Sequence, residues 1–175
     1  MIIAEDHRLT EEALAATRLD FTILRNNLYT DLMLQSLPAA VASGTLLDAR
    51  GAGRASFVTR EDCARAAAGT LAEGGAGRHT LDVTGPAAVS SPELAALVSE
   101  ITGRPVAHVS VSPEELVNAL TSHGLPAPIA ALLASFDTAI AKGDLAAVTD
   151  TVARLGGRAP QTVRDFLVAH RAALG

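Results

Sequence analysis

Tryptophan is absent from this 175-residue chain, tyrosine and cysteine occur once each, and aromatic residues make up only 3%. A core without wide rings must be built from Ala, Leu and Val, a usage that favours helices packed closely through small side chains. The lone cysteine, Cys63, excludes an internal disulfide. Within EDCARAAAG it is expected to be a small buried hydrophobe rather than a reactive thiol. Blocks of like charge are missing too: the formal net charge of -5 is spread along the chain with no basic stripe, which argues against nucleic acid as a direct ligand. The sequence has neither a charged-then-apolar leader nor a long apolar span, so a cytoplasmic protein with no membrane partner is expected. GxGxxG and GxxxxGK turns are also lacking. Gly51 and Gly53 in RGAGR stand where no helix begins, and that turn is expected to be structural.

What is present is a chain with 49% hydrophobic and 19% charged residues, long enough to bury the core of one domain without metals or disulfides. It is organised around 19–31, LDFTILRNNLYTD. Phe21, Thr22, Ile23 and Leu24 form a near-continuous apolar run that suits a parallel strand covered on both faces. Polarity then rises abruptly at Arg25, Asn26 and Asn27, with Tyr29, Thr30 and Asp31 leading into a new apolar run. In an open α/β sheet, ligands bind at the carboxyl ends of the strands, so this loop is the candidate site; a plain surface loop with a helix cap is the alternative.

The remaining pattern alternates short strands with helices. A helix is expected over 5–18, with a weak apolar face at Leu9, Ala13 and Leu14 and with His7 and Glu11 four residues apart on one side. That pair reads either as a solvated His–Glu contact or as a functional histidine. A helix over 31–43, anchored by Leu32, Leu34 and Leu37, should kink or break at Pro38 and stop at Gly44. Strands follow at 45–48 and 55–58, then a helix capped by Thr59, with Asp62 as a carboxylate capping-box partner, ending in GGAG. A strand at 79–83 and a helix opened by Ser91 and Pro92 come next, the latter with Leu94, Leu97, Val98 and Ile101 at helical spacing. The chain closes with a strand at 106–111, a helix with a full capping box from Ser112 to Glu115, and a helix on Ile129, Leu132, Leu133, Phe136 and Ile140. Two short helices end it, the first on Val148, Val152 and Leu155 and the last on Val163, Phe166, Leu167 and Leu174.

The segments HRLTEEAL, FTILRNNLYTD, SFVTREDCARAAAGTL, HTLDVTGPAAVSSPELAALVSEITGRPV and SPEELVNALTSHGLP, in that order and spacing, resemble the carboxyl-terminal half of NmrA-like atypical short-chain dehydrogenase/reductases. The resemblance is greatest to the NAD(P)H:quinone oxidoreductase branch. It implies an α/β fold: the carboxyl-terminal part of a Rossmann-type NAD(P)-binding sheet, 1–89, and a small, mostly helical substrate lobe, 90–175. The dinucleotide-binding half that opens the family fold is expected to be missing.

By the same resemblance, the cofactor is NADP or NAD, with His7, Arg25, Asn26 and Asn27 near its nicotinamide end and Asn27 and Tyr29 facing a small-molecule substrate. His7 stands where catalytic relatives carry the lysine of a tyrosine–lysine pair, so no catalytic residue is assigned and hydride would pass directly between cofactor and substrate. Relatives in the quinone branch tend to read Arg-Asn-Gly-Trp-Tyr at the loop. Here Asn27 and Leu28 replace the glycine and the tryptophan, which removes a flat wall suited to a quinone. Three functions follow: the substrate-side half of a quinone or carbonyl reductase, a non-catalytic dinucleotide-sensing regulator, or a remnant acting as an interaction module. A homo-oligomer, or a partner that supplies the missing half, is expected, because the strand at 21–24 would lose a neighbour.

Overall fold

The computed structural model describes residues 1–74 and 76–175; Gly75, within the expected GGAG helix end, lies outside the described residues. The elements run α1 (Ala4–Ala15), β1 (Phe21–Asn26), α2 (Met33–Ser43), β2 (Thr45–Asp48), β3 (Arg54–Ala55), α3 (Arg60–Glu73), β4 (Arg78–Val83) and β5 (Val89–Ser90). They continue as α4 (Ser91–Thr102), β6 (Ala107–Ser110), α5 (Pro113–Ser122), α6 (Ala127–Ala141), α7 (Thr151–Gly156) and α8 (Val163–Ala169). Short 3-10 turns at Thr30–Leu32 and Arg171–Ala173 precede α2 and follow α8.

The strands form three two-stranded pairs: β1 with β4 in parallel, β2 with β6 in parallel, and β3 with β5 antiparallel. In the first, Leu24 stands opposite Leu81 and Asn26 opposite Val83. The second and third join residues on both sides of position 89. The two stretches separated there in the sequence therefore share one framework. The main core confirms this, since Met33, Leu37 and Val41 of α2 pack with Leu94, Val98 and Ile101 of α4 and Phe166 and Leu167 of α8. A second cluster, Val58, Cys63, Ala66, Val83, Val152 and Leu155, lies between β1, β4, α3 and α7. Gly69 makes that packing possible: a Cβ there would lie 1.9 Å from the Leu155 carbonyl oxygen, so only glycine admits the α7 backbone against α3.

Most capping signals hold. Thr59 accepts from the Asp62 amide at 3.1 Å, and Ser112 forms a reciprocal box with Glu115. The cap of α4 is Ser90 rather than Ser91, because Glu93 stands three residues beyond it and completes the box there. Asp62 does not reciprocate with Thr59; its carboxylate pairs with Arg65 and accepts from the Gln161 amide at 2.8 Å, which fastens the carboxyl-terminal segment to α3.

Several expectations yield to tertiary packing. β1 continues through Arg25 and Asn26, because both pair with β4 instead of turning. Neither strand is covered on both faces: β1 is half-buried to exposed and β4 mostly exposed, and among the described residues each has one neighbouring strand. Helix α2 passes through Pro38 unbroken and buries Met33, Leu37, Ala40 and Val41, while Leu32 is exposed. Helix α6 turns its small face inward, Ala130, Ala134 and Asp137, and leaves Ile129 and Leu133 exposed. Only Arg54 and Ala55 of 55–58 and its surroundings form a ladder, with Val58 bridging to Tyr29. Val148 is exposed ahead of α7, and α1 ends at Ala15 with none of its residues buried.

Candidate functional site

The parallel ladder of β1 and β4 ends at Asn26 and Val83, and the surface beyond it is built by the segments that follow the two strands. After β1, the Asn27 amide donates to the Val83 carbonyl at 2.9 Å, and Val58 donates to the Leu28 carbonyl at 3.0 Å. Thr30 donates in turn to the Val58 carbonyl at 3.0 Å, so the segment is stitched to the one that opens α3. Asn27, expected to meet cofactor and substrate, is committed to this scaffold instead. Its Nδ2 donates to Ser56 Oγ at 2.8 Å and to the Leu145 carbonyl at 3.0 Å, and its Oδ1 accepts from the Leu28 amide at 2.7 Å. A side-chain amide so occupied holds a loop in place and has little left for a ligand.

Asn26 and Tyr29 remain at the opening. Asn26 Nδ2 donates to the Tyr29 hydroxyl at 3.2 Å, and the Tyr29 ring lies under the Arg60 guanidinium at 5.1 Å. Asn26 and Arg60 are exposed, while Tyr29 is half-buried against the second core cluster. On the β4 side, Thr84 is buried and accepts from the Thr149 amide at 2.9 Å, and Thr149 Oγ1 donates to the Asp82 carbonyl at 2.7 Å. Sequence reading did not single out Thr84, Thr149 or Arg60. Thr84 could have been found as the first residue past a strand end; the other two are remote in sequence and only the fold brings them here.

Arg25 and His7 lie on the α1 side. Arg25 Nη2 pairs with Glu11 at 2.5 Å, and Nε of the same guanidinium donates to Glu11 at 2.8 Å, which ties α1 to β1. The Arg25 hydrogen bond holds the Glu11 carboxyl below its ordinary range, with a smaller contribution from the charge of His7. His7 thus shares a face with Glu11 as its spacing suggests, but Glu11's hydrogen bonds go to Arg25. His7 itself is exposed, and its ring forms no hydrogen bond among the described residues. Cys63 is buried, and burial pushes its thiol up to about 11, with the Asp62 and Asp31 carboxylates adding to the shift. That is the environment of an inert thiol, as its sequence context suggests.

A dinucleotide's pyrophosphate is commonly carried on a glycine-rich turn that opens a helix, and the RGAGR turn leads into β3 instead. Gly53 closes the RGAGR turn because a Cβ there would lie 2.3 Å from the Ile140 carbonyl oxygen, so this glycine serves packing. What the chain offers is polar side chains at the carboxyl ends of two parallel strands, the place where open α/β sheets bind ligands. No helix of the described residues is long and apolar enough to cross a membrane, and no cluster of His, Cys, Asp and Glu among them is arranged to hold a metal ion.

No family model matches the chain. Individual proteins do. The chain is 34% identical to Quinone oxidoreductase 2 of Escherichia coli over 96% of its own length and 58% of that protein's. It superposes on the crystal structure of that NADPH-dependent quinone oxidoreductase in complex with NADPH with a TM-score of 0.92, covering 97% of this chain and 60% of the other. The Citrobacter sp. triphenylmethane reductase complexed with NADP(H) gives a TM-score of 0.89 at 34% identity, with the same coverage of 97% and 60%. An NmrA-like family domain-containing oxidoreductase of Aspergillus flavus is 29% identical over 94% of the chain and 56% of its own length. The chain therefore spans a little over half the length of the curated relatives it matches. Its order of elements, its parallel β1–β4 pair and these likenesses identify it as a member of the NmrA-like atypical short-chain dehydrogenase/reductases, matching their carboxyl-terminal half and similar to the quinone oxidoreductase type.

Proposed function

We propose that the chain forms the substrate side of an NAD(P)H-dependent oxidoreductase that reduces a small, flat acceptor of the quinone or carbonyl class. The observation that carries this reading is the placement of Asn26 at the carboxyl end of one strand, and of Tyr29 and Thr84 just past the ends of this strand and its parallel neighbour. The dinucleotide would supply the hydride. The chain's own residues would position the acceptor: Tyr29 offers a ring face and a hydroxyl, Asn26 an amide, and Asn27 and Thr84 hold the two walls at a fixed spacing. None of these side chains forms the nucleophile–base or tyrosine–lysine pairing of acid–base catalysis, which fits a direct transfer that needs position and polarity rather than a proton relay. The pyrophosphate would be carried by a dinucleotide-binding half of the kind that accounts for the additional length of the relatives.

The test joins the chain to such a half, in one polypeptide or by co-expression, and follows NADPH and NADH oxidation with a simple benzoquinone. Turnover that falls at least tenfold in Tyr29→Phe or Asn26→Ala, with the melting temperature kept within a few degrees, supports the assignment. Unchanged turnover together with a clear loss of stability would show both side chains to be packing residues. The lack of an acid–base pair also favours a second reading, a dinucleotide-sensing regulator; it predicts saturable NAD(P)H binding by the joined protein with no turnover of any acceptor.

A further inference from the structure

Arg60 opens α3 beside the carboxyl end of β1, with its ring partner Tyr29 in the loop that follows that strand. The carboxylates around it are engaged elsewhere: Asp31 accepts from the Arg60 backbone amide at 2.9 Å, Glu61 pairs with Arg158, Asp62 with Arg65, and Glu11 with Arg25. Among the described residues no carboxylate forms an ion pair with the Arg60 guanidinium. Its Cζ lies over the Tyr29 ring, 5.1 Å from the centroid, and the Tyr29 hydroxyl in turn accepts from Asn26 Nδ2 at 3.2 Å. The guanidinium is thus oriented by an aromatic face, exposed to solvent and left with its hydrogen-bond donors free. Arg50, Arg54, Arg65 and Arg164, by contrast, each meet a carboxylate.

We propose that Arg60 and Tyr29 together form a receptor for an anionic aromatic substrate, taking its carboxylate or sulfonate on the guanidinium fork and its ring beside the Tyr29 face. The inference rests on the reading of the crevice as a substrate site and narrows the substrate class from any flat acceptor to one bearing an acid group. A planar fork matches a carboxylate or sulfonate with two parallel hydrogen bonds, and the stack keeps it from collapsing onto a nearby side chain. Phosphate of a dinucleotide is the other source of an anion. It would need no aromatic ring, and that difference separates the two.

The chain is suited to a direct test because Tyr29 is its single tyrosine. Protein labelled with ring-13C tyrosine gives one set of ring resonances, and these report on the proposed receptor alone. Titration at constant ionic strength with benzenesulfonate, benzenesulfonamide and inorganic phosphate should give a saturable shift with benzenesulfonate in the millimolar range. The uncharged sulfonamide and phosphate should each be at least tenfold weaker, and Arg60→Gln should weaken benzenesulfonate at least tenfold while circular dichroism stays unchanged. Equal response to the sulfonamide, equal response to phosphate, or no saturable shift in the unmodified chain would each overturn the proposal. Because the titration contains no dinucleotide, its failure leaves the oxidoreductase reading intact, and an inactive joined protein would leave an observed anion site intact.

Discussion

Asp137 was placed by its sequence in the middle of an amphipathic helix, yet it is only 5% exposed and carries one of the chain's buried ion pairs. Its carboxylate accepts from Arg50 Nε at 2.7 Å and from the Ala49 amide at 3.0 Å, which binds α6 to the end of β2. Asp137→Ala would strand both donors. Removing one partner of a buried pair costs about 3–5 kcal/mol. Here the loss is reduced, because Arg50 is 24% exposed and Asp48 Oδ2, buried with no hydrogen bond of its own, stands 3.9 Å away. The guanidinium can turn to it, whereas the buried Ala49 amide gains nothing. The expected cost is therefore about 2–4 kcal/mol, or a fall of roughly 6–12 °C in Tm for a chain of this length. Urea unfolding followed by far-ultraviolet circular dichroism measures it in the absence of tryptophan. Asp137→Asn, which keeps one acceptor, should lose less, and Arg50→Met combined with Asp137→Leu should recover most of the loss. A single-variant loss under about 1 kcal/mol with an unchanged denaturant slope would refute the role given to this pair.

Four further outcomes are expected. Cys63, pushed up to about 11, should react with a disulfide reagent at pH 8 roughly 100-fold more slowly in the folded chain than after unfolding; equal rates would mean that α3 opens freely. Glu93 is held down to about 2 by the Ser90 amide and hydroxyl and by Arg54, so its contribution to stability should be complete above its ordinary value of 4.5. That contribution should be lost as the pH falls toward 2, and a carboxyl carbon titration with a midpoint above 4 would exclude the capping arrangement. The unjoined chain should bind NADPH more weakly than ~10 μM, about -7 kcal/mol, and calorimetry giving tighter binding would show that its own residues can hold the pyrophosphate. With α1 burying none of its residues and β1 paired on one edge only, the chain should sediment as a dimer or larger species, with Phe21 to Leu24 at the contact; a cooperatively melting monomer at micromolar concentration would contradict this.

Local chemistry was legible wherever it is settled by near neighbours in the chain. The caps at Thr59 and Ser112, the left-handed stop at Gly44, the strands at 45–48 and 79–83, and the inward residues of α8 follow from side chains within a few positions of one another. The order of segments was enough to reveal the family, because a series of spaced motifs carries more information than any one of them. Helix phase was less legible where small and large apolar residues alternate. In α6 the wide residues Ile129 and Leu133 looked like the core face, but close approach to the neighbouring elements selects Ala130 and Ala134.

The sequence alone determined the alternation of strands and helices, the rise in polarity after Leu24 and the inert character of Cys63, since each depends on composition or on contacts a few residues away. Tertiary structure decided the division of labour within that loop. Asn27 became an anchor because Ser56 and Leu145, 29 and 118 residues distant, supply its partners, and Arg25 became a tie to α1 because Glu11 faces it across the β1 edge. Arg60 gained its place over Tyr29 in the same way, through the bridge that draws Val58 to Tyr29. Hydrogen bonds and charge act over a few ångströms in space, so which polar side chains remain free for a ligand is fixed only when the chain is folded.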